Sequence, residues 1–227
     1  MKVPSISGST VFVIGDDACH QEALKELFGS VGLHVEPFAW GNAFLEIPVP
    51  DTPGCIVLDV RFPLNGLKFQ SDLAKAKIQV PIVFLTGQGD IPMAVCAMKA
   101  GAIDFLTKPF REQDLLHAVA AAIEKDGVRR AKELSNSFLR ERFDSLSSRE
   151  RDIVARVAAG ALNKQIAADL GISEVTVKVY RANAMRKLRA NSVAELVRIA
   201  VQAEHFIAFP NEVGKTESGG LPNYLHL

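Results

Sequence analysis

The stretch "CIVLDV", residues 55–60, decides the fold. Ile56, Val57 and Leu58 form an unbroken apolar run of the kind used by a strand buried on both faces. The run ends in Asp59, a carboxylate that is costly to bury unless something pairs with it. Outward from this point, similar runs recur at "VFVI" (11–14), "LHVEPF" (33–38), "PIVFL" (81–85) and "AIDFL" (102–106). Between them, 18–29, 43–47, 67–77 and 91–100 suit helices, with a fifth at 111–125. Strands alternating with helices predict an α/β doubly wound, five-stranded parallel sheet covered on both faces.

In such a sheet, chemistry gathers beyond the carboxyl ends of the strands. The first strand ends in Gly15-Asp16-Asp17, the third in Asp59, the fourth in Thr86-Gly87 and the fifth in Thr107-Lys108-Pro109. Each has an ordinary reading alone: Asp-Asp as a helix cap, Thr-Gly as a turn, Lys-Pro as a strand end. Together they supply complementary groups. Asp16 and Asp59 can hold a hard divalent cation such as Mg²⁺, which keeps one or two carboxylates and several waters. A lysine beside a carboxylate can neutralise an arriving phosphoryl group, whose transfer depends on positioning and charge stabilisation.

The chain has 227 residues, 48% apolar and 23% charged, as a soluble globular protein of one or two domains does. No stretch has the length and apolarity of a membrane span, and "MKVPSISGST" lacks the apolar core of a signal peptide. The expectation is a cytoplasmic protein without membrane contact. Cys19, Cys55 and Cys96 show no C-x-x-C pair, so they are expected as small buried hydrophobes. The histidines lack metal-ligand spacing. Charge is uneven, with ten basic against fifteen acidic residues over 1–126 and ten against six over 146–209. An acidic first part and a basic second part imply two domains with different partners.

The expected domains are 1–125, a helical linker at 126–145, an all-α four-helix domain at 146–209 and a disordered tail at 210–227. The helical pattern through 111–143 is interrupted only by Gly127. In the second domain, Ser147-x-x-Glu150 and Ser192-x-x-Glu195 have the spacing of capping boxes, Gly160 and Gly171 sit where helices stop, and Ser173 is placed as a cap. At 100° per residue, Val177, Tyr180, Ala184 and Leu188 share one face of the 174–188 helix, the expected core side. Val179, Ala182 and Arg186 lie opposite. Thr176, Asn183 and Lys187 form one flank, with Lys178 and Arg189 on the other. A small-residue ridge between polar and basic flanks suits a major groove. Lys178 is the candidate for guanine, Val179 and Ala182 for thymine methyls, and Lys187 for phosphate. Arg181 is open between an internal ion pair and a phosphate contact.

The run "VFVIGDD…CIVLDVRFP…PIVFLTGQGD…GAIDFLTKPF" resembles the receiver domain of two-component response regulators over about residues 10–125, and the FixJ-type subgroup in particular. The resemblance implies that Asp59 is the phosphoacceptor, Thr86 the switch hydroxyl, Lys108 the phosphoryl-contacting lysine and Phe105 the switch aromatic. It implies a cis Lys108–Pro109 peptide and a Mg²⁺ site made by Asp16, Asp59 and the backbone carbonyl of Arg61, with Asp17 a weak further candidate. Gly15 stands where relatives carry an acid, and the loop "DVRFPLNG" is one residue short, so the metal site is expected to be weakened. Gly15→Asp is expected to tighten Mg²⁺ binding about tenfold, since an added charge strengthens the site's attraction.

"LSSRERDIVARVAAGALNKQIAADLGISEVTVKVYRANAMRKLRANSVAELVRIA" resembles the LuxR/FixJ-type helix-turn-helix module over 146–200. The implied function is that of a DNA-binding regulator, not an enzyme, switched when a histidine kinase phosphorylates Asp59. Promoter DNA would meet Lys164, Thr176, Lys178, Val179, Ala182, Asn183, Arg186 and Lys187. A homodimer on activation is expected through Ile91, Met93 or Val95, Lys99 and Asp104, near Glu112, and RNA polymerase is compatible as a further partner. Two other readings are a phosphoaspartate enzyme, which needs a substrate pocket near Asp59, and a DNA-binding protein whose first domain is a phosphorylation-independent interaction module.

Overall fold

Odd and even residues of the central strands face different helices, which is why both kinds are apolar. A computed structural model describes residues 8–60, 63–87 and 91–204. Its five strands are β1 (Thr10–Ile14), β2 (His34–Phe38), β3 (Gly54–Val60), β4 (Ile82–Thr86) and β5 (Asp104–Thr107). All pair in parallel, in the order β2-β1-β3-β4-β5. Between them lie α1 (Ala18–Ser30), α2 (Gly41–Leu45), α3 (Pro63–Lys75) and α4 (Ile91–Lys99).

Val11, Val13, Cys55, Val57, Val83 and Leu85 bury one face of the sheet with Leu24 and Phe28 of α1 and Leu115, Val119 and Ile123 further on. Phe12, Ile14, Ile56, Leu58, Ile82 and Phe84 bury the other with Phe44, Phe69, Leu73 and Ala97. This is the period-two alternation of a sheet covered on both sides. The edge strand β2 is only partly buried and accommodates Pro37, whose missing N–H would interrupt a central strand. β3 runs on through Asp59, which lies opposite Leu85 in the register with β4. The fifth strand falls later than the expected 102–106, and α3 begins before the expected 67. Cys55 is buried as expected; Cys19 and Cys96 are exposed instead, because α1 and α4 turn them away from the sheet.

The expected helical linker at 126–145 continues the helix that covers the sheet. A single helix, α5 (Glu112–Asp144), runs for 33 residues through Gly127. The glycine's cost of about 1 kcal/mol relative to Ala is outweighed by local pairing. Asp126 is fully buried. Its Oδ2 accepts the Gly54 N–H at 3.0 Å and Arg130 Nε at 2.7 Å, and its Oδ1 accepts Arg129 Nη2 at 2.6 Å. Arg129 also reaches Glu133 one turn on, at 2.7 Å. The chain divides into two units between Glu133 and Leu134.

The second unit contains α6 (Ser148–Ala158), α7 (Asn163–Leu170), α8 (Glu174–Leu188) and α9 (Val193–Glu204). Leu139 and Phe143, from the end of α5, join Ile153, Val154, Ile166, Val177, Ala184, Leu188 and Leu196 in one core. Ser147 and Glu150 complete the expected capping box. Ser192 Oγ accepts the Glu195 N–H at 3.1 Å, but the Glu195 carboxylate bonds Asn191 N–H at 2.9 Å, one residue before the cap. Gly160 and Gly171 have φ of 82° and 64°, left-handed values that end a helix at little cost for glycine. The expected tail at 210–227 lies outside the described residues.

Candidate phosphoacceptor corner and nucleic-acid interface

β1 and β3 are neighbours from which the chain leaves in opposite directions, to β2 and to β4, and a crevice opens where that order reverses. Asp59 stands there. Its side chain is 10% exposed, and Lys108 Nζ donates to Oδ2 at 2.8 Å. The lysine is brought in by the β5–α5 turn, where the Lys108 N–H bonds Thr86 O at 2.8 Å and Lys108–Pro109 is cis. Thr86 is fully buried at the end of β4. Phe105 is half-buried and stacks on Phe84, with ring centroids 6.0 Å apart. The sheet thus gathers Asp59, Thr86 and Lys108 at one edge.

The β1–α1 turn is pinned by Gln21, whose Nε2 donates to Gly15 O at 2.7 Å and Phe38 O at 2.8 Å. Asp16 is exposed beside it. Asp17 caps α1, its Oδ1 accepting the His20 N–H at 3.2 Å. Arg61 lies outside the described residues. Gly15 is more than a missing charge. A Cβ built there would stand 3.0 Å from Asp59 Cβ and 3.3 Å from Asp59 O, so a side chain at this position requires Asp59 to give by a few tenths of an ångström.

The donor set offers hard oxygens from Asp16 and Asp59, and no cluster of three or more His, Cys, Asp or Glu forms a metal cage among the described residues. Two hard carboxylate oxygens suit a cation which retains most of its waters, as Mg²⁺ does. A cavity of about 290 Å³ lies at the opposite ends of the strands, lined by Val80, Pro81, Ile103 and Lys125, and shares no residue with this corner.

In the second unit, Val177, Ala184 and Leu188 are fully buried and Tyr180 is half-buried, the face expected to meet the core. Lys178, Val179, Ala182 and Arg186 are exposed on α8, with Lys164 exposed on α7; Thr176 and Asn183 are half-buried. Ser173 caps α8, accepting the Thr176 N–H at 3.1 Å. Arg181 donates to Asn163 Oδ1 at 3.0 Å. Lys187, expected at phosphate, pairs within its own unit: its Nζ lies 2.6 Å from Glu150 Oε2 and donates to Ser145 O at 3.0 Å.

Residues 11–120 match the response regulator receiver domain, and 144–200 match the bacterial regulatory proteins of the luxR family. Nodulation protein W of Bradyrhizobium diazoefficiens is 50% identical over 191 residues, covering 84% of each chain. Response regulator protein TodT of Pseudomonas putida is 46% identical, covering 84% of this chain and 85% of its own. The structure of the response regulator StyR superposes with a TM-score of 0.77 at 45% identity, covering 86% of this chain and 98% of that one.

The chain is a two-component response regulator.

Two groups of this regulator escaped the sequence reading. His20, in the first turn of α1, places Nε2 3.5 Å from Asp59 Oδ2 and its ring 6.2 Å from that of Phe110. Burial first, and then the Lys108 ammonium, hold the His20 imidazole below its ordinary pKa, against the pull of Asp59 and Asp17. A histidine with no ligand-spaced partner gives no sequence signal; only its place four residues after Asp16 could have drawn notice. Asp126 falls at the start of the expected helical linker, and nothing in the sequence shows that it meets the Gly54 N–H at the start of β3.

Proposed function

We propose that Asp59 is the phosphoacceptor of this regulator and that its phosphorylation by a histidine kinase controls promoter binding by the second unit. The observation that carries the reading is a nearly buried carboxylate paired with Lys108 at 2.8 Å, at the point where the strand order reverses. As the phosphoryl group arrives, the carboxylate oxygen bonds phosphorus and Lys108 follows the growing negative charge. Thr86 bonds a phosphoryl oxygen, and Phe105 moves with it. Asp16 and Asp59 would hold Mg²⁺ with the carbonyl of Arg61. The ion, when bound, supplies charge neutralisation for the transferring group.

Lys178, Val179 and Ala182 face the bases, while Lys164, Thr176, Asn183 and Arg186 hold backbone phosphates. A homodimer forms on activation through the α4–β5 surface, which carries Ile91, 80% exposed, with Val95, Lys99 and Asp104. One small module reads few bases, and two half-sites multiply discrimination. The protein works in the cytoplasm, where DNA and RNA polymerase are at hand. Incubating wild type and Asp59→Asn with acetyl phosphate and Mg²⁺, then weighing each intact, tests the assignment. A phosphoryl mass gain in wild type alone is expected; equal gain in both, or none in either, refutes it.

A further inference from the structure

His20 Nε2 is buried and has no hydrogen-bond partner among the described residues, although the imidazole as a whole is 25% exposed. Buried polar atoms are paired in the large majority of cases, and an orphan calls for an explanation. Its neighbour is Asp59 Oδ2 at 3.5 Å, too far for a good hydrogen bond. Lys108 reaches the same oxygen at 2.8 Å. Two donors thus converge on Oδ2, one bonded to the carboxylate and one held back by a fraction of an ångström.

We propose that His20 donates Nε2–H to the phosphoryl group carried by Asp59 and prolongs the phosphorylated state. The proposal rests on the phosphoacceptor reading of Asp59 and deepens it. A phosphoryl group on Oδ2 presents three strong acceptor oxygens one bond beyond phosphorus, in the shell where Nε2 stands. The gap that is too wide for the carboxylate is the right width for the larger group. An imidazole can carry a proton on Nε2 and donate it from there. The ring needs little ordering on phosphorylation. The backbone of His20 is tied to Asp17 Oδ1 at 3.2 Å, and Phe110 stands edge-on to the imidazole.

Loss of the group is hydrolysis. A water oxygen bonds phosphorus as the Oδ2–P bond breaks, Asp59 recovers the electron pair as carboxylate, and the water proton leaves with inorganic phosphate. A hydrogen bond from His20 fixes the phosphoryl group against Lys108, and the ring covers one side of it against solvent.

The test uses the full chain, phosphorylated with acetyl phosphate and Mg²⁺, freed of donor, and followed by intact mass. His20→Ala should lose the phosphoryl group about tenfold faster than wild type, the effect of one lost hydrogen bond to a charged group. His20→Phe, which keeps a ring but no N–H, should decay as fast as His20→Ala. His20→Gln, which returns an N–H near Nε2, should stay within about threefold of wild type by the same reasoning. All three should melt like wild type and show the same Mg²⁺ midpoint for phosphorylation. Unchanged lifetime in His20→Ala and His20→Phe overturns the role, and slower decay overturns it in favour of a histidine that activates water. Absence of any Asp59-dependent mass gain in wild type instead removes the phosphoacceptor assignment, and this role with it.

Discussion

Replacing Lys187 with alanine should unfold the second unit at lower temperature without changing the salt dependence of DNA binding. Lys187 Nζ and Glu150 Oε2 are 2.6 Å apart, with side chains 33% and 6% exposed. Removing one partner of a buried pair costs about 3–5 kcal/mol, because the remaining charge stays buried and unpaired. Lys187 is one-third exposed, and Glu150 keeps the Ser147 N–H at 2.7 Å, so about 2–3 kcal/mol is expected. For a small domain that lowers the melting temperature by roughly 10 °C or more. Burial raises the Glu150 pKa, but Lys187 and Ser147 outweigh it and leave the carboxyl below its ordinary value of 4.5. The pair's contribution is therefore full above about pH 4.5 and is lost as pH falls through the lower folded-state value. In Lys187→Ala that acid-side loss should shrink. Thermal unfolding of the full chain by circular dichroism at pH 7 and pH 4 measures both effects, and DNA titrations at several salt concentrations measure the third. A phosphate contact would lower the salt slope by about 0.9. A lowered slope with an unchanged melting temperature would refute the ion-pair reasoning.

Lys178→Ala should weaken specific binding and relax base preference, costing about 1–3 kcal/mol at the half-site base it reads, measured by titrating single-base variants of a bound promoter; equal affinity for all variants before and after would disprove the orientation of α8. Gly15→Ala should impair phosphorylation of Asp59 without any change of charge, since its Cβ meets Asp59 Cβ at 3.0 Å. Gly15→Asp should then gain less than tenfold in Mg²⁺ midpoint, and a full tenfold gain would show that Asp59 yields freely. Asp126→Ala should destabilise the first unit by about 2–4 kcal/mol in urea unfolding, because it leaves the Gly54 N–H unpaired and removes the buried partner of Arg129 and Arg130, which keep only Glu133 and Asp51; a loss below 1 kcal/mol would mean that water replaces the carboxylate. Ile91→Asp with Lys99→Glu should leave the phosphorylated protein monomeric in sedimentation, and a dimer as strong as wild type would exclude the α4–β5 surface.

The strands were legible because each is a short apolar run bounded by turn residues, and burial on both faces leaves such a run little other use. The convergence of Asp59, Thr86 and Lys108 followed from topology alone, since parallel strands all end at the same edge. The faces of α8 were readable for a similar reason, as 3.6-residue periodicity places Val177, Ala184 and Leu188 on one side whatever surrounds them. Tertiary structure decided the rest. Lys187 and Asp126 could be assigned only once the partner was known, and Glu150 and Gly54 are 37 and 72 residues away. The same holds for His20, whose position beside Asp59 depends on how α1 leaves β1, and for Gly15, whose small size matters because β3 crowds it. Local patterns record which way a residue faces. They do not record what stands opposite, because that is set by strand order and helix packing across the whole chain.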